Sequence, residues 1–165
     1  MPRPLILNWV SVGAGKLALA HRPGLYAIST LHTQGCTRVV TLLSEREHAQ
    51  TIGDAVQAAQ MAWSWLPLQN GKFPQAEAHS MLLAALPVLS ACLDRGEAMM
   101  IHCAAGIHRT GMVTYALLRW RGLDQAEALE VIGKLRPHTR EGIQPRQIAW
   151  GNRYAVQTTI SDSIT

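Results

Sequence analysis

Cys103 and Arg109 are separated by five residues in a segment whose composition suits binding and attacking an anion. The apolar run 98–101 leads into this segment and the amphipathic run 112–120 follows it, which predicts a strand, a tight loop and a helix. Gly106 allows the chain to turn sharply between them. The backbone N–H groups of such a loop, together with the N-terminus of the next helix, form a cradle for an anion the size of phosphate.

The side chains of this loop would supply positive charge and a nucleophile. Arg109 offers a planar, permanently charged fork to two oxygens of an anion. Cys103 would lie beneath the anion, where the thiolate is favoured and is directed at phosphorus. The alternative is that Cys103 is an unreactive buried residue, the commonest fate of a free cysteine. The backbone amides expected to contact the anion belong to Ala104, Ala105, Gly106, Ile107, His108 and Arg109.

The string formed by His102-Cys103, five residues and Arg109-Thr110-Gly111 resembles the phosphate loop of the cysteine-dependent protein tyrosine and dual-specificity phosphatases. The resemblance covers the chain from about 8 to 154 and is sharp only between 101 and 111. It implies hydrolysis of phosphomonoesters, with protein phosphotyrosine as the first expected substrate and phosphoserine, phosphothreonine or a small phosphorylated molecule next. It implies neither a metal nor an organic cofactor, and phosphate or sulfate is expected to bind in the loop.

The same resemblance implies a role for each residue of the motif. Cys103 would form a phosphocysteine that water then hydrolyses, while Arg109 and the loop amides hold the phosphoryl oxygens. The hydroxyl of Thr110 would donate to the sulfur, and His102 would order the loop from behind. Sulfurtransferases and arsenate reductases also use a Cys-x₅-Arg loop, but His102 and Thr110 match the phosphatases better.

One position departs from the family. The segment 67–74 resembles the acid loop of the kinase-associated-phosphatase type, in which an aspartate protonates the leaving group, yet this chain has Asn70 there. An amide cannot act as an acid, and general acid catalysis is worth about 10²- to 10⁴-fold. Three alternatives follow: a slow phosphatase that prefers aryl phosphates, a module that binds phosphorylated partners without turnover, or a proton donor from elsewhere. The possible donors are His108, Glu45, Glu77 and His79.

Several polar residues have both a functional and a structural interpretation. His108 could be an acid or an anion contact, or a solvent-facing loop residue. Glu45 follows a predicted strand, where relatives often place an acidic residue near the site, but a helix cap explains the local Ser44-x-x-Glu47 pattern equally well. Gln144 and Gln147 resemble the late glutamine segment of the family, with Gln144 the better candidate to orient water; both could equally be polar positions of a terminal helix.

Length, charge and cysteine usage limit the class of protein. The 165 residues suit a single domain with a core at about 5–157 and a polar tail at 158–165. The net charge of +4 favours an anionic substrate. The sequence contains no basic stripe interleaved with aromatic residues, the pattern typical of nucleic-acid binding, so nucleic acid is not the expected partner. No apolar run is expected to approach the length of a membrane span, and the N-terminus does not resemble a signal peptide. Three cysteines without paired spacing favour the reducing cytoplasm.

Alternating strands and helices predict an α/β fold: a central, mostly parallel sheet flanked by helices on both faces, as in dual-specificity phosphatases. In such sheets ligands bind at the carboxyl ends of the strands, where the Cys103 loop begins. A helix from Ser44 is expected to break near Gly53, and Pro87 is expected to kink or interrupt the helix 75–93. The segment 137–144 is expected to be a loop. The other predicted elements are strands at 5–10, 16–20, 39–43, 61–66 and 98–101, and helices at 23–35, 109–121, 124–135 and 145 to about 156.

Overall fold

The fold is described for residues 5–155 of a computed structural model. Five strands form one sheet in the order β1-β2-β5-β3-β4. β1 and β2 are an antiparallel hairpin, and the other neighbouring pairs are parallel. The strands are β1 Val10–Val12, β2 Gly15–Ala20, β3 Arg38–Thr41, β4 Ala62–Trp65 and β5 Ala98–His102. The expected α/β sheet, mostly parallel, is therefore confirmed.

Helices cover both faces of this sheet. Alternate residues of β5 divide the core, because Met99 and Ile101 pack with one cluster while Met100 packs with the other. The helices are α1 Leu25–Leu31, α2 Ala49–Ala58, α3 Ala76–Asp94, α4 His108–Trp120, α5 Gln125–Leu135, α6 Pro137–Gly142 and α7 Pro145–Gly151. The first cluster includes side chains of α3, α4, α5 and α7, and the second includes those of α1 and α2.

The helix after β3 differs from the prediction. A short 3₁₀ helix at Glu45–Glu47 is separated from α2 by His48, whose φ of +62° is incompatible with a continuous right-handed helix. The helix α2 then runs through Gly53 without a break. Gly53 is explained by packing, since a Cβ at this position would lie 2.5 Å from ring atoms of Trp63. The expected break near Gly53 was therefore wrong: this glycine provides close contact between α2 and β4.

Two further expectations have clear outcomes: the helix that contains Pro87 is not interrupted, and the segment after Pro137 is not a loop. Pro87 does not interrupt α3; it lies on the exposed side of the helix, where water can solvate the carbonyl group that its missing N–H leaves free. The segment after Pro137 is the short helix α6 rather than a loop, with proline at its first turn and Thr139 buried. The predicted tail 158–165 and the end of the last predicted helix lie outside the described residues.

Among residues 5–155, α3 is the one helix long and apolar enough to cross a membrane by length and composition. By this measure the expectation that no apolar run approaches a membrane span was wrong. A single such helix is weak evidence, because core helices of soluble proteins meet the same criterion. Leu82, Leu86 and Leu89 of α3 are buried in the larger core cluster, which accounts for the apolar composition of that face.

Candidate active site

The Cys103 loop leaves the carboxyl end of β5, between the ends of β2 and β3. The Cys103 side chain is 3% exposed, and its sulfur accepts a hydrogen bond from the Gly106 N–H at 3.2 Å. The chain therefore curls back over the sulfur and directs a backbone dipole at it.

Donors on surrounding elements hold the first carbonyl groups of this loop. The Cys103 carbonyl faces the His102 Nδ1 at 3.1 Å, and the Ala104 carbonyl accepts from the Arg22 N–H, just after β2, at 2.9 Å. Because these carbonyls are occupied from outside the loop, they are turned away from its centre. The loop is thereby anchored to its own strand and to the neighbouring strand.

The next two carbonyl groups are held in the same way by the segment around α6. Arg136 donates through one nitrogen to the Ala105 and Gly106 carbonyls at 3.2 and 2.9 Å. The buried Thr139 hydroxyl also donates to the Gly106 carbonyl at 2.5 Å. With four successive carbonyls directed outward, the amides between Ala104 and Arg109 are the backbone groups left to face an anion.

Gly106 is required by this geometry. Its φ is +73°, and a Cβ at this position would lie 2.5 Å from the Ala20 carbonyl oxygen. A side chain would combine backbone strain with a clash against the end of β2. The position assigned from sequence to a sharp turn is therefore also a close approach between backbones.

A buried chain of hydrogen bonds fixes the ring of His102. The Trp63 Nε1–H donates to the Thr41 hydroxyl at 2.9 Å, and this hydroxyl lies 2.8 Å from His102 Nε2. Because the Cys103 carbonyl beside the other ring nitrogen can only accept, Nε2 is the unprotonated nitrogen and accepts the Thr41 proton. Nδ1 of His102 then carries the hydrogen donated to the Cys103 carbonyl. Burial lowers the pKa of His102 to about 4, which keeps the imidazole neutral. The His102 ring is therefore held by partners on two other strands, and its supporting role stays a prediction.

Arg109 is held by Glu47. The two carboxylate oxygens accept from two guanidinium nitrogens at 2.6 and 2.9 Å. The same guanidinium donates to the Leu68 carbonyl at 3.0 Å, at the start of the acid loop. The Arg109 side chain is 6% exposed, so its orientation is fixed before any ligand arrives. The bond from Arg109 lowers the pKa of Glu47 to about 2, so both partners are charged at neutral pH.

Sequence reasoning selected Glu45, whereas the acidic residue that reaches the loop is Glu47. Glu45 is exposed on the same 3₁₀ helix and lines a cavity together with Asn70. Glu47 also accepts from the Ser44 N–H at 2.8 Å, which completes the local cap. The Ser44-x-x-Glu47 pattern at the end of a strand was therefore the available signal, and it was assigned a capping role alone.

The predicted hydrogen bond from Thr110 to the sulfur is absent. Thr110 is fully buried, and among the described residues its hydroxyl has no hydrogen-bond partner. The donor that reaches Cys103 is instead the Gly106 N–H. Thr110 is therefore an exception to the usual pairing of buried hydroxyl groups in native proteins.

Asn70 lies where the acid loop meets the phosphate loop. It is exposed and lines a cavity of about 260 Å³ together with His108, Arg109 and Gln144. The structure thus brings together the two loops that sequence reasoning associated. Gln147 lines the same cavity, but its side chain accepts from the Gln144 N–H at 2.9 Å and caps α7.

The alternative proton donors occupy different places. His108 lines the cavity that contains Asn70 and Arg109. Glu77 lines a neighbouring cavity of about 350 Å³ that also reaches Arg109. His79 lies apart, since its Nδ1 is 2.7 Å from the Tyr154 hydroxyl. Among residues 5–155, no group of His, Cys, Asp and Glu side chains is arranged to hold a metal ion.

Comparison with solved structures shows the same fold. Kinase-associated phosphatase, solved with its catalytic cysteine substituted by serine, superimposes with a TM-score of 0.74 at 18% identity, covering 92% of this chain and 94% of that chain. PTPMT1 in complex with PI(5)P gives 0.71 at 18% identity, covering 89% and 94%. Tk-PTP in its active form gives 0.68 at 21% identity, covering 88% and 94%.

Among curated proteins, no sequence matches this chain significantly. One family model does match, over residues 18–123, and its description is "Polymorphic toxin system, DSP-PTPase phosphatase". The matched region runs from the middle of β2 to just beyond α4 and contains the whole Cys103–Arg109 loop. Since this is well over half of the chain, the protein belongs to the DSP-PTPase phosphatase family of polymorphic toxin systems.

Proposed function

We propose that this phosphatase hydrolyses phosphomonoesters through a phosphocysteine on Cys103. The observation that carries the proposal is the arrangement of the loop: four carbonyls are held outward, and one amide donates to the sulfur. The thiolate attacks phosphorus as the bond to the leaving oxygen breaks, and the leaving group departs as an alkoxide or phenolate that takes its proton from solvent. Water then attacks the phosphocysteine, which releases inorganic phosphate and restores the thiolate.

Arg109 supplies the charge that this reaction needs. Negative charge spreads over the three phosphoryl oxygens in the transition state, and a guanidinium already in position stabilises it without reorganisation. Glu47 acts as a positioning residue, because its paired bonds with Arg109 set the orientation of the guanidinium. The loop amides from Ala104 to Arg109 complete the set of donors.

The leaving group determines which substrates react well. Asn70 occupies the position of the family's acid, and an amide donates no proton to the leaving oxygen. The leaving group of an aryl phosphate, such as phosphotyrosine, is a stabilised phenolate, so its hydrolysis loses the least rate when no acid is present. We therefore propose phosphotyrosine or another aryl phosphate as the preferred substrate. His108 is the possible proton donor that lines the same cavity as Asn70.

The reaction also requires a reduced thiol. Cys103 is a free cysteine, as are the buried Cys36 and Cys92. Burial raises the pKa of Cys36 to about 11, which makes that thiol a poor nucleophile. We accordingly propose that the enzyme works in a reducing compartment such as the cytoplasm, with Cys103 as its reactive cysteine.

A second function, phosphate-dependent binding without turnover, is favoured by Asn70 alone. The two functions are separated by steady-state release of phosphate from an aryl phosphate, measured for the wild type and Cys103→Ser. Wild-type turnover that disappears in Cys103→Ser supports hydrolysis. Equal and negligible rates in both proteins, with micromolar phosphopeptide binding by the wild type, would instead establish a binding module.

A further inference from the structure

The cavity that contains Asn70 has an unusual charge distribution. It is formed by three separate parts of the chain: the acid loop, the first turn of α4, and the start of α7. Besides Arg109 of the phosphate loop, each part contributes one basic side chain to its lining, namely Lys72, His108 and Arg146. No carboxylate lines it, and Gln144 and Gln147 add amide groups.

The two neighbouring cavities differ in this respect. The cavity beside the 3₁₀ helix is lined by Glu45 and Glu47 as well as by Arg46 and Lys72. The cavity beneath α3 is mostly apolar and includes Glu77. Lys72 also lines both of these cavities, so Arg146 and His108 are the basic side chains that line the Asn70 cavity alone.

The scissile phosphate does not account for these additional cations. Arg109 also lines the cavity, but its charge is paired with Glu47 and it belongs to the phosphate loop. Lys72 and Arg146 are exposed and lie outside that loop. The positive charges of Lys72 and Arg146 are therefore additional to those that would bind the scissile phosphate.

Arg146 is held in position at the edge of the cavity. Its Nε donates to Gln144 Oε1 at 3.1 Å, and its guanidinium lies 5.7 Å from the centre of the Phe73 ring. The amide and the aromatic face restrict the side chain while leaving nitrogen donors free to contact a ligand. Restricting a long side chain in advance reduces the entropy that binding would cost.

From these observations we infer that the Asn70 cavity is a second anion subsite, which binds a further phosphate group of a substrate whose first phosphate lies over Cys103. This inference rests on the proposed function and specifies its substrate class as molecules with at least two phosphates. Arg146 and Lys72 would pair with the second phosphate, with Gln144 and His108 as additional donors. A small polyphosphorylated molecule and a doubly phosphorylated peptide both present this chemistry.

The test compares matched substrates that differ by one phosphate. One pair is glucose 6-phosphate and glucose 1,6-bisphosphate; the other is a phosphotyrosine peptide with and without a nearby phosphoserine. We expect kcat/KM for the bisphosphorylated member of at least one pair to exceed that of its partner by about 5- to 10-fold at low salt. The responding pair identifies the source of the second phosphate, and the preference should shrink at high salt.

Variants assign this preference to the cavity. Arg146→Gln and Lys72→Gln are each expected to reduce the ratio of the two kcat/KM values by about 3-fold or more. Arg95→Gln is the matched control, since Arg95 is an exposed arginine before β5, at the opposite end of that strand from the phosphate loop. This control should keep the wild-type ratio. No preference in either pair, or a preference that both cavity variants retain, would overturn the inference.

Binding to Cys103→Ser separates the two proposals. If the wild type turns over no substrate, calorimetry with the serine variant still measures whether the second phosphate strengthens binding by about 5-fold. Stronger binding of a bisphosphate without wild-type turnover would overturn the hydrolytic function and support the subsite. Turnover of aryl phosphates without any gain from a second phosphate would support the hydrolytic function and overturn the subsite.

Discussion

The phosphate loop and the acid loop lie side by side and are built differently. The backbone of the first is held by donors from β2, the adjoining histidine and the α6 segment, and its arginine is paired with a carboxylate. Residues 69–72 of the second are exposed, and Gly71 has open space where a Cβ would project. The part proposed to hold the phosphate is therefore constrained in advance, whereas the part that would serve the leaving group is not.

This difference indicates where the sequence can vary. A carbonyl turned inward would oppose an anion in the phosphate loop, so each contact around that loop affects binding. A change from aspartate to asparagine in the acid loop affects only proton donation and leaves the phosphate contacts intact. The arrangement is consistent with an enzyme that keeps phosphoryl binding while its leaving-group assistance is altered.

The largest predicted effect comes from Gly106→Ala, for which Gly71→Ala is the matched control. Both glycines have φ of +73°, but only at Gly106 would a Cβ meet backbone atoms, the nearest at 2.5 Å. We expect Gly106→Ala to lower kcat/KM on an aryl phosphate by about 100-fold or more, because the amide over the sulfur must move. Gly71→Ala should have a much smaller effect. Similar losses in the two variants would show that the loops are equally constrained.

The second prediction tests the acid loop through a gain of activity. Asn70→Asp restores an acidic side chain beside the phosphate loop, so kcat should rise by about 10- to 100-fold on an alkyl phosphate, with its poor leaving group. On an activated aryl phosphate the increase should be several-fold smaller. The dependence of rate on leaving-group pKa measures this directly. An equal effect on both substrates would mean that Asn70 acts on binding rather than on proton transfer.

The third prediction concerns the carboxylate that positions Arg109. Glu47→Gln keeps the shape but removes the charge, and we expect kcat to fall by about 10-fold, with a smaller change in KM. Because the folded-state pKa of Glu47 is about 2, against 4.5 ordinarily, its stabilising contribution is complete above pH 4.5 and is lost as pH falls towards 2. That contribution is at most about 3 kcal/mol, less after screening by solvent.

Chemical denaturation between pH 2 and pH 7 checks this pH dependence. The difference in unfolding free energy between the wild type and Glu47→Gln should be largest near neutral pH and should narrow below pH 4.5. Glu45→Gln is the control, because this neighbouring carboxylate is exposed and does not reach Arg109. A constant difference across the range would mean that the ion pair contributes little to stability.

The smallest predicted effect is that of Thr41→Val. This change leaves the Trp63 N–H and His102 Nε2 without their shared hydroxyl, at a cost of about 1–3 kcal/mol in unfolding free energy. The rate of Cys103 alkylation at neutral pH should change only slightly, since His102 contacts the Cys103 carbonyl rather than its sulfur. Thr114→Val is the control, because among the described residues the buried Thr114 hydroxyl has no partner. Equal losses in both variants would argue against the hydrogen-bonded chain.

Several elements were predictable from sequence because their signals are local. The apolar run before Cys103, the S-x-x-E pattern after β3 and the periodicity of α5 each depend on neighbouring residues. The differences arose where the tertiary environment decides the local structure. Gly53 accommodates a tryptophan from another strand, and α6 packs against α4, which is distant in sequence, as well as against its neighbour α5. Pro87 is tolerated because its side of α3 faces water.

The candidate site likewise has some features that the sequence determined and others that only the tertiary structure decided. The sequence alone determined the order of nucleophile, glycine and arginine, and it showed an amide where the acid was expected, because these are properties of residue identity and spacing. Only the tertiary structure decided that Glu47 rather than Glu45 holds Arg109, that Gly106 rather than Thr110 donates to the sulfur, and that Lys72 and Arg146 share one cavity. The pairing of Glu47 with Arg109 and the cavity shared by Lys72 and Arg146 join segments far apart in the chain, and the Gly106 contact depends on how the surrounding elements hold the loop.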